Sequence, residues 1–176
     1  SVPARVGAFE IGAPGLGFRH VTSFGTTGEP YLVDADHLNY PDGIFVDAGD
    51  NLWVTERHGA RVLKYSAAGT HLLTLGKAGC RLPEEDRFSE PSDVTLDGAG
   101  NIWVVDHGVH RVVQFDTSGE FIQQVGETWE QGADDAHFRY PRGAAFDGDV
   151  VLRHPPPEPR HLRRHLRAEV GQHARR

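Results

Sequence analysis

Apolar residues lie along residues 18–150 in short runs, and each run is bounded by glycine, aspartate or asparagine. Short apolar runs between turn signals are typical of strands, whereas helices of globular proteins are usually longer. Loops of two to five residues pair neighbouring strands antiparallel. The pattern therefore predicts an all-β chain, with strands near 18–24, 43–47, 52–56, 61–66, 70–75, 93–97, 102–106, 111–116, 121–125 and 143–147.

The pattern repeats after fifty residues. The stretch NLWVTERHGARVLKYSAAGTHLLTLG (51–76) is followed by NIWVVDHGVHRVVQFDTSGEFIQQVG (101–126). Aligned without gaps, 41–76 and 91–126 share Pro41/Pro91, Asp47/Asp97, Asn51/Asn101, Trp53/Trp103, Val54/Val104, Arg61/Arg111, Val62/Val112, Gly69/Gly119 and Gly76/Gly126. A third unit starts at 140–148, and 18–25 is similar to the end of an earlier one. A period of this length indicates a repeat architecture.

Each complete unit contains four predicted strands. A four-stranded antiparallel sheet cannot bury both faces alone, and radial stacking of such sheets makes a β-propeller. The chain holds about two complete units and two partial ones, fewer than the roughly four to eight blades of a closed ring. The prediction is an incomplete β-propeller, with two four-stranded blades and partial flanking blades.

The recurring residues resemble the NHL repeat. The resemblance rests on P-x-[GD]-[aliphatic]-x-x-D, then N-[LI]-W-V, then R-V-x-x-[YF] and a closing glycine, across roughly 18–150. It implies a propeller fold and says little about function, because one scaffold hosts many activities. Proteins with this repeat style are often exported, which makes an extracytoplasmic location the expectation.

Residues that recur at one strand position are assigned to the fold. We predict that Trp53 and Trp103 pack between blades. We predict ion pairs of Arg61 with Glu56 and of Arg111 with Asp106. In the turns, backbone N–H groups should donate hydrogen bonds to Asp47, Asp97 and Asp147.

The repeat also has a distant similarity to the propeller of peptidyl-hydroxyglycine amidating lyase. In that family, histidines that follow the strand-starting prolines bind zinc. Here Asp42, Ser92 and Arg142 stand after those prolines, and the loop that carries the lyase's tyrosine reads DHGVH. A catalytic zinc site needs convergent neutral imidazoles. The sequence therefore predicts no catalytic residue, no metal and no cofactor at these positions.

Other motifs give weaker indications of function. His107 and His110 form H-x-x-H in the loop that matches the loop of Arg57 and His58, and we expect a solvated loop. DADH at 34–37 and DD at 134–135 leave calcium as an alternative. The chain has no G-x-S-x-G motif and no glycine-rich phosphate loop.

Charge divides the chain. The formal net charge is −7, of which residues 153–176 carry +5 from seven arginines and two glutamates, so the other residues carry −12. An acidic body repels a phosphate backbone, and the basic segment suits non-specific contact only. No apolar run approaches the roughly 18 residues of a membrane span. Specific nucleic-acid binding and a membrane span are not expected.

Three segments follow. Residues 1–17 are an N-terminal extension, 18–152 the propeller segment with units starting near Pro41, Pro91 and Pro141, and 153–176 a basic, Pro/Arg/His-rich tail predicted to be disordered. The repeat stops inside a hairpin there. Two interpretations stay open, a native tail and an out-of-frame translation of a G/C-rich gene.

The function that the sequence favours is a non-catalytic binding scaffold for a protein or small-molecule ligand. Its face would be made by Asp42, Ser92, Arg142 and the loops 57–60, 107–110 and 127–140, with Arg57, His58, His107 and His110 as candidate contacts. The loop 77–90 is equally long and charged. The alternative is a fragment of a metal-dependent lyase or hydrolase whose site is completed by other blades. Open blade edges also suggest self-association.

Overall fold

The computed structural model describes residues 6–11, 18–24, 34–78, 84–132, 134, 136–146 and 150–153. Its elements are β1 (Val6–Ile11), β2 (Phe18–Phe24), β3 (Pro41–Val46), β4 (Leu52–Glu56), β5 (Arg61–Tyr65), β6 (His71–Gly76), β7 (Pro91–Leu96), β8 (Ile102–Asp106), a 3₁₀ turn (His107–Val109), β9 (Arg111–Phe115), β10 (Phe121–Val125), β11 (Gly143–Phe146) and β12 (Val150–Arg153).

The strands form two four-stranded antiparallel sheets and two two-stranded ones. The first blade has the order β3-β4-β5-β6 and the second has the order β7-β8-β9-β10, so each strand pairs with its neighbour in the chain. The remaining strands pair as β1–β2 and β11–β12. Equivalent strands share one register, since Val54 pairs with Ile44 and Leu63 as Val104 pairs with Val94 and Val113. The prediction of an all-β, incomplete β-propeller is confirmed.

All ten predicted strands are present with small differences at their ends. The first strand of each blade begins at Pro41 or Pro91, two residues earlier than predicted, because the proline still lies opposite the end of the next strand across a bulge. Two strands were not predicted, β1 and β12. Strand β1 was not predicted because the repeat was recognised only from residue 18 onwards. Strand β12 was not predicted because the aromatic residue that marks the second strand of the other units is absent after residue 150. The N-terminal residues 1–5 and most of the basic tail, 154–176, lie outside the described residues.

The core lies between the blades, because alternate residues of each strand face opposite sides of its sheet. The first blade contributes Trp53, Val62 and Leu75 to a buried cluster. From the second blade come Val94, Ile102, Val104, Val113 and Phe115. The other face of the second blade buries Trp103 with Val105, Val112 and Phe138. Packing between blades is therefore confirmed for both tryptophans.

The turn aspartates hold the hairpins by accepting hydrogen bonds. Asp47 accepts from the backbone N–H of Gly49 and Asn51, from the Asn51 amide and from the Trp53 indole, at 2.8–3.0 Å. Burial alone would raise the pKa of Asp47, but these bonds outweigh it and lower the pKa well below its usual range. Asp97 makes the equivalent set of bonds. The turn role is confirmed for both, and Asp147 lies outside the described residues.

The first strands of neighbouring blades approach very closely at Gly43. A Cβ atom there would lie 2.5 Å from the Ser92 carbonyl oxygen and 2.8 Å from the Asp93 Cα. Both contacts are with backbone, which cannot move aside as a side chain can. Glycine is therefore required where β3 meets β7, and these two strands are the innermost pair of the stacked blades.

Candidate functional site

One end of the blades gathers the candidate residues, and we call it the proline end. It comprises the starts of β3, β7 and β11, the loops 57–60 and 107–110 with the neighbouring Trp129, and the residues 34–40, 84–90, 134 and 136–140. Antiparallel pairing places these parts together, since Pro41 lies opposite Glu56 and Pro91 opposite Asp106. The proline end is therefore the surface on which a ligand of this scaffold would meet most of the predicted contacts.

A buried ion pair anchors the segment 34–40 to the first blade. Arg61 and Glu56 are both buried and hydrogen bonded to each other. Arg61 Nη2 also donates to the carbonyl oxygens of Asp34 at 2.6 Å and His37 at 3.1 Å. The Glu56 carboxylate accepts the backbone N–H of Asn39 at 3.0 Å. The pair therefore holds a loop in place, and it is inaccessible to a ligand.

The second blade repeats this arrangement. Arg111 lies 3.4 Å from Asp106, and its Nη2 donates to the carbonyl oxygens of Glu84 at 2.8 Å and Arg87 at 2.6 Å. Asp106 also accepts the backbone N–H of Ser89. Burial raises the pKa of Asp106, while the guanidinium and the N–H donors oppose the shift. Both predicted pairs are confirmed, and their burial makes each far more consequential than an exposed pair.

The sequence reasoning missed a repeated apolar residue three positions before each proline. Leu38, Phe88 and Phe138 are spaced by fifty and are all buried. Phe88 packs into the cluster between the first and second blades, and Phe138 into the next cluster. Extending the alignment upstream from Pro41 to residue 34 would have found them, because the spacing continues there.

Contacts between blades also occupy the loop after the second strand. Arg57 forms an ion pair with Glu90 of the next blade at 2.8 Å. The equivalent His107 lies at a ring-centroid distance of 5.2 Å from Tyr140, which stands at the position of Glu90 in the following unit. The candidate contacts Arg57 and His107 therefore each join one unit to the next.

The expectation of a solvated H-x-x-H loop is wrong. His107 is 7% exposed and His110 is 3% exposed. The 3₁₀ turn at 107–109 brings the His107 Nδ1 within 3.0 Å of the Pro141 carbonyl oxygen. The Tyr140 backbone N–H donates to the His110 Nδ1 at 3.2 Å, and the two rings meet edge to face at 4.5 Å. Residues of the following unit cover both histidines. The position of the loop between two strands does not predict this cover.

The packing of His110 predicts a loss of stability in mild acid. Its Nδ1 accepts a hydrogen bond, which requires the neutral ring, and burial lowers its pKa with a smaller contribution from His107. A lowered folded-state pKa means that the unfolded chain binds more protons below about pH 6.5, so stability falls there as the pH decreases. We expect urea midpoints to be lower at pH 5.5 than at pH 7.5.

The control for this prediction is His110→Asn. Asparagine tolerates the left-handed backbone that His110 adopts (φ 64°) and offers an uncharged acceptor near the Nδ1 position. The variant should show a clearly smaller drop between the two pH values. An equal drop in both proteins would contradict a role for His110.

The structure brings the three residues after the prolines onto neighbouring innermost strands and the turn before β11. Asp42 and Arg142 are exposed, whereas Ser92 between them is nearly buried. The Ser92 hydroxyl lies 3.4 Å from the Arg142 carbonyl oxygen, which links the second blade to the third unit. Asp42 and Arg142 are therefore accessible at the proline end, and Ser92 contributes mainly to packing.

Asp93 is an inner-strand carboxylate that the sequence reasoning missed. Burial raises its pKa, although the backbone N–H groups of Ala144 and Val94 donate to it at 3.0 Å. The equivalent residue in the first blade is Gly43, so no repeated letter marked the position. A perturbed pKa is also found where a carboxylate serves only to bridge strands, as Asp93 bridges β7 and β11 here.

Aromatic side chains are exposed at the proline end. Tyr40 stacks on the exposed His58 with ring centroids 4.0 Å apart. Trp129 and Tyr140 are also exposed, and the Trp129 backbone N–H donates to the Val109 carbonyl oxygen at 3.1 Å. The loop of Trp129 thus lies beside the 107–110 loop. His58 is the candidate histidine that remains accessible.

The aspartates considered for calcium have other partners. Asp34 lies 2.7 Å from the His37 Nδ1, and Asp134 lies 2.7 Å from the His137 Nδ1. Each also accepts a backbone N–H two residues on, so these are local turns. Within the described ranges, no three or more His, Cys, Asp or Glu side chains are grouped to hold a metal ion.

A groove of about 610 Å³ lies between the outer strands of the two blades and reaches the segment 84–90 of the proline end. It is lined by Thr74, Leu75, Gly76, Glu84, Glu85, Asp86, Phe115, Gly119, Glu120 and Phe121. Four of these residues are acidic, and three of them belong to the segment 84–90. The groove is therefore polar and negatively charged, unlike the aromatic surface of the proline end.

The stacked four-stranded blades and this loop-bearing end define a class of protein, an incomplete β-propeller. The family model for the NHL repeat matches residues 88–115. The chain therefore contains an NHL repeat within a propeller-type fold, as its sequence predicts. No curated protein matches the sequence significantly.

Solved structures support the fold. A streptogramin B lyase structure has 22% identity and a TM-score of 0.50, and the match covers 77% of this chain and 37% of that one. A structural genomics protein of unknown function from Bacteroides thetaiotaomicron has 20% identity and a TM-score of 0.51, with 58% of this chain and 29% of that one covered. The chain thus spans about a third of the length of these structures, and the likeness concerns the fold alone.

The described part of the chain contains no helix that is both long and apolar enough to cross a membrane.

Proposed function

We propose that this NHL-type propeller segment is a non-catalytic scaffold that binds an extended peptide segment of a partner protein at its proline end. The observation that carries the proposal is the set of exposed aromatic side chains there, Tyr40, His58, Trp129 and Tyr140. Aromatic residues are enriched at protein–protein interfaces, where they supply contact area at low entropic cost.

The different uses of the shared and the variable repeat positions support this proposal. Residues shared by the units, such as Trp103, Asp97 and Arg111, are used in packing, turns and the buried ion pairs. The position after each proline differs between units and is exposed in Asp42 and Arg142. Variable, accessible residues on a rigid scaffold suit recognition of a ligand.

The two charges restrict the ligand. Arg142 favours an acidic group and Asp42 favours a basic one, while the aromatic rings favour apolar side chains. A peptide with mixed charge and at least one large apolar side chain fits this description. The acidic body disfavours a phosphate backbone as the ligand.

A displayed random-peptide library panned on the full chain tests the proposal. We expect selected peptides to bind the parent protein, and Trp129→Ala to weaken a selected peptide about tenfold or more, as for an aromatic hot spot. The matched control is Ile122→Ala, which removes an exposed apolar side chain from an outer strand. Failure to select any peptide, or equal affinity for both variants, would contradict the proposal.

A second candidate is a fragment of a metal-dependent lyase or hydrolase completed by further blades. The observation in its favour is Asp93, an innermost-strand carboxylate whose pKa is raised by burial. The likeness to streptogramin B lyase does not decide between the candidates, because it extends to the fold only. Stoichiometric metal in the purified protein, lost in Asp93→Asn, would favour this candidate over a binding scaffold.

A further inference from the structure

Three exposed aromatic residues of the proline end share an unusual backbone conformation. Tyr40, Trp129 and Tyr140 have φ values of 52°, 71° and 49°, which lie in the left-handed region. Bulky residues rarely adopt this region, and such strain is concentrated at ligand clamps and other functional sites. Their exposed fractions are 52%, 62% and 41%, so the strain does not place these side chains in the core. The backbone instead presents them at the surface.

Hydrogen bonds to the neighbouring loops hold these three residues in place. The Arg57 backbone N–H donates to the Tyr40 carbonyl oxygen at 3.0 Å. The backbone N–H groups of Trp129 and Tyr140 donate to the loop 107–110, at 3.1 Å and 3.2 Å. The rings are thus positioned before a ligand arrives, and positioning in advance lowers the entropic cost of binding.

Strand β12 returns the chain to the proline end. Strands β11 and β12 are antiparallel, and Arg153, the last residue of β12, pairs with Gly143, the first residue of β11. Gly143 lies three residues after Tyr140, and the start of β11 belongs to the proline end. The residues that follow Arg153 in the chain therefore begin beside the exposed aromatic side chains.

The sequence that follows Arg153 is rich in proline. It reads His154, then PPPEP at 155–159. Four prolines in five residues favour the polyproline II conformation, because each ring fixes φ near −65°. Pro156 and Pro159 also have the P-x-x-P spacing, which docks on aromatic-lined surfaces. Such a segment is extended in advance and loses little conformational entropy on binding.

We propose that residues 155–159 of this chain dock on its own aromatic surface at the proline end, against Trp129 and Tyr140. The inference rests on the proposed function, because it gives the same surface a ligand class, a proline-rich segment. Polyproline II rises about 3.1 Å per residue, so the five residues span about 15 Å. Stacked sheets lie about 10 Å apart, so the segment reaches from β12 to the loop 107–110 and to Trp129 beside it.

The charges of the segment and of the surface agree with this docking. Glu158 lies inside the proline run, and Arg139 and Arg142 are exposed at the proline end. Arg160 follows the run, and Asp42 is exposed at the start of β3. The segment therefore supplies an acidic and a basic group to a surface that offers both complements.

Docking makes the segment a competitor of any partner peptide at this surface. A tethered segment acts at an effective concentration of about 1 mM, so a contact with a dissociation constant of about 0.1 mM weakens a partner about tenfold. The segment would thereby regulate access to the proline end.

The first experiment measures the quenching of tryptophan fluorescence by acrylamide in the full chain. Trp53 and Trp103 are buried, so Trp129 is the tryptophan that acrylamide reaches. The proline variant carries Pro155→Ser, Pro156→Ser, Pro157→Ser and Pro159→Ser. We expect its quenching constant to rise severalfold, because docking at the strength above covers the surface about nine-tenths of the time.

The matched control carries Leu162→Ser, Leu166→Ser and Val170→Ser in the same basic tail. It removes apolar side chains but keeps the prolines, and it should be quenched as the parent is. Equal quenching of the parent and the proline variant, or the same rise in the control, would overturn the inference. A difference that grows with protein concentration would indicate docking on a second copy, which also contradicts docking within one chain.

The second experiment measures the affinity of a library-selected peptide for the parent and for both variants. We expect the proline variant to bind it about tenfold more tightly than the parent, and the control to bind it as the parent does. Equal affinity for the parent and the proline variant would refute internal docking while peptide binding, the proposed function, still holds. Conversely, a rise in quenching without any selectable peptide would contradict the proposed function and support internal docking.

Discussion

Arg111→Ala should destabilise the protein by about 3–5 kcal/mol, the cost of breaking a buried ion pair by removing one partner. The substitution leaves Asp106 buried without its guanidinium, and it removes the donor to the carbonyl oxygens of Glu84 and Arg87. Urea unfolding at one fixed protein concentration measures the change, since self-association would add to the apparent stability.

The matched control for Arg111→Ala is Arg57→Ala. Arg57 also pairs with a carboxylate, Glu90 at 2.8 Å, but both side chains are only partly buried. Exposed pairs contribute about 0–1 kcal/mol, so the control should lose little stability. Similar losses in the two variants would show that burial does not distinguish these pairs.

Phe88→Ala should cost about 3–5 kcal/mol, as for other large aromatic residues removed from a core. Phe88 is fully buried between the blades and meets Phe115 edge to face at a centroid distance of 5.7 Å. Its loss leaves a cavity lined by both blades, which cannot close without moving one sheet against the other. The denaturant midpoint and the slope of the transition report the loss and any change in cooperativity.

Ile122→Ala serves as the control for Phe88→Ala. Ile122 is a large apolar residue of the second blade, but it is exposed on an outer strand. Surface substitutions of this kind usually change stability by less than about 0.5 kcal/mol. A loss in Phe88→Ala no greater than in the control would mean that the segment 84–90 does not secure the blades.

The fold was predictable because its physical causes repeat in the sequence. Trp53 and Trp103 recur at one strand position, and Asp47 and Asp97 recur at one turn, so two copies of each signal supported the same strands. Strand β1 was missed because the alignment stopped at residue 18, although the letters ARV at 4–6 continue it. Where the two repeats were aligned, the predicted strand ends lie within two residues of the observed ones.

The candidate site was predictable only in part. Spacing placed Asp42, Ser92 and Arg142 on adjacent units, since equivalent residues of stacked blades are neighbours. It did not reveal that His107 and His110 are buried, because their cover comes from Tyr140 in a different unit. The exposure of a side chain at the proline end depends on contacts between units. The sequence pattern within one unit does not predict those contacts.

The buried arginines also define the boundaries of the repeat unit that could be duplicated as one block. Arg111 reaches back 27 residues to the Glu84 carbonyl oxygen, and Arg61 reaches back the same distance to Asp34. A recombined block taken from just after Gly76 to Gly126 would carry its loop, its arginine and its sheet together. A block cut at Pro91 would transplant Arg111 without the carbonyl groups that it binds. We therefore expect duplication or grafting of this repeat to preserve these hydrogen bonds only in the frame that starts after the closing glycine.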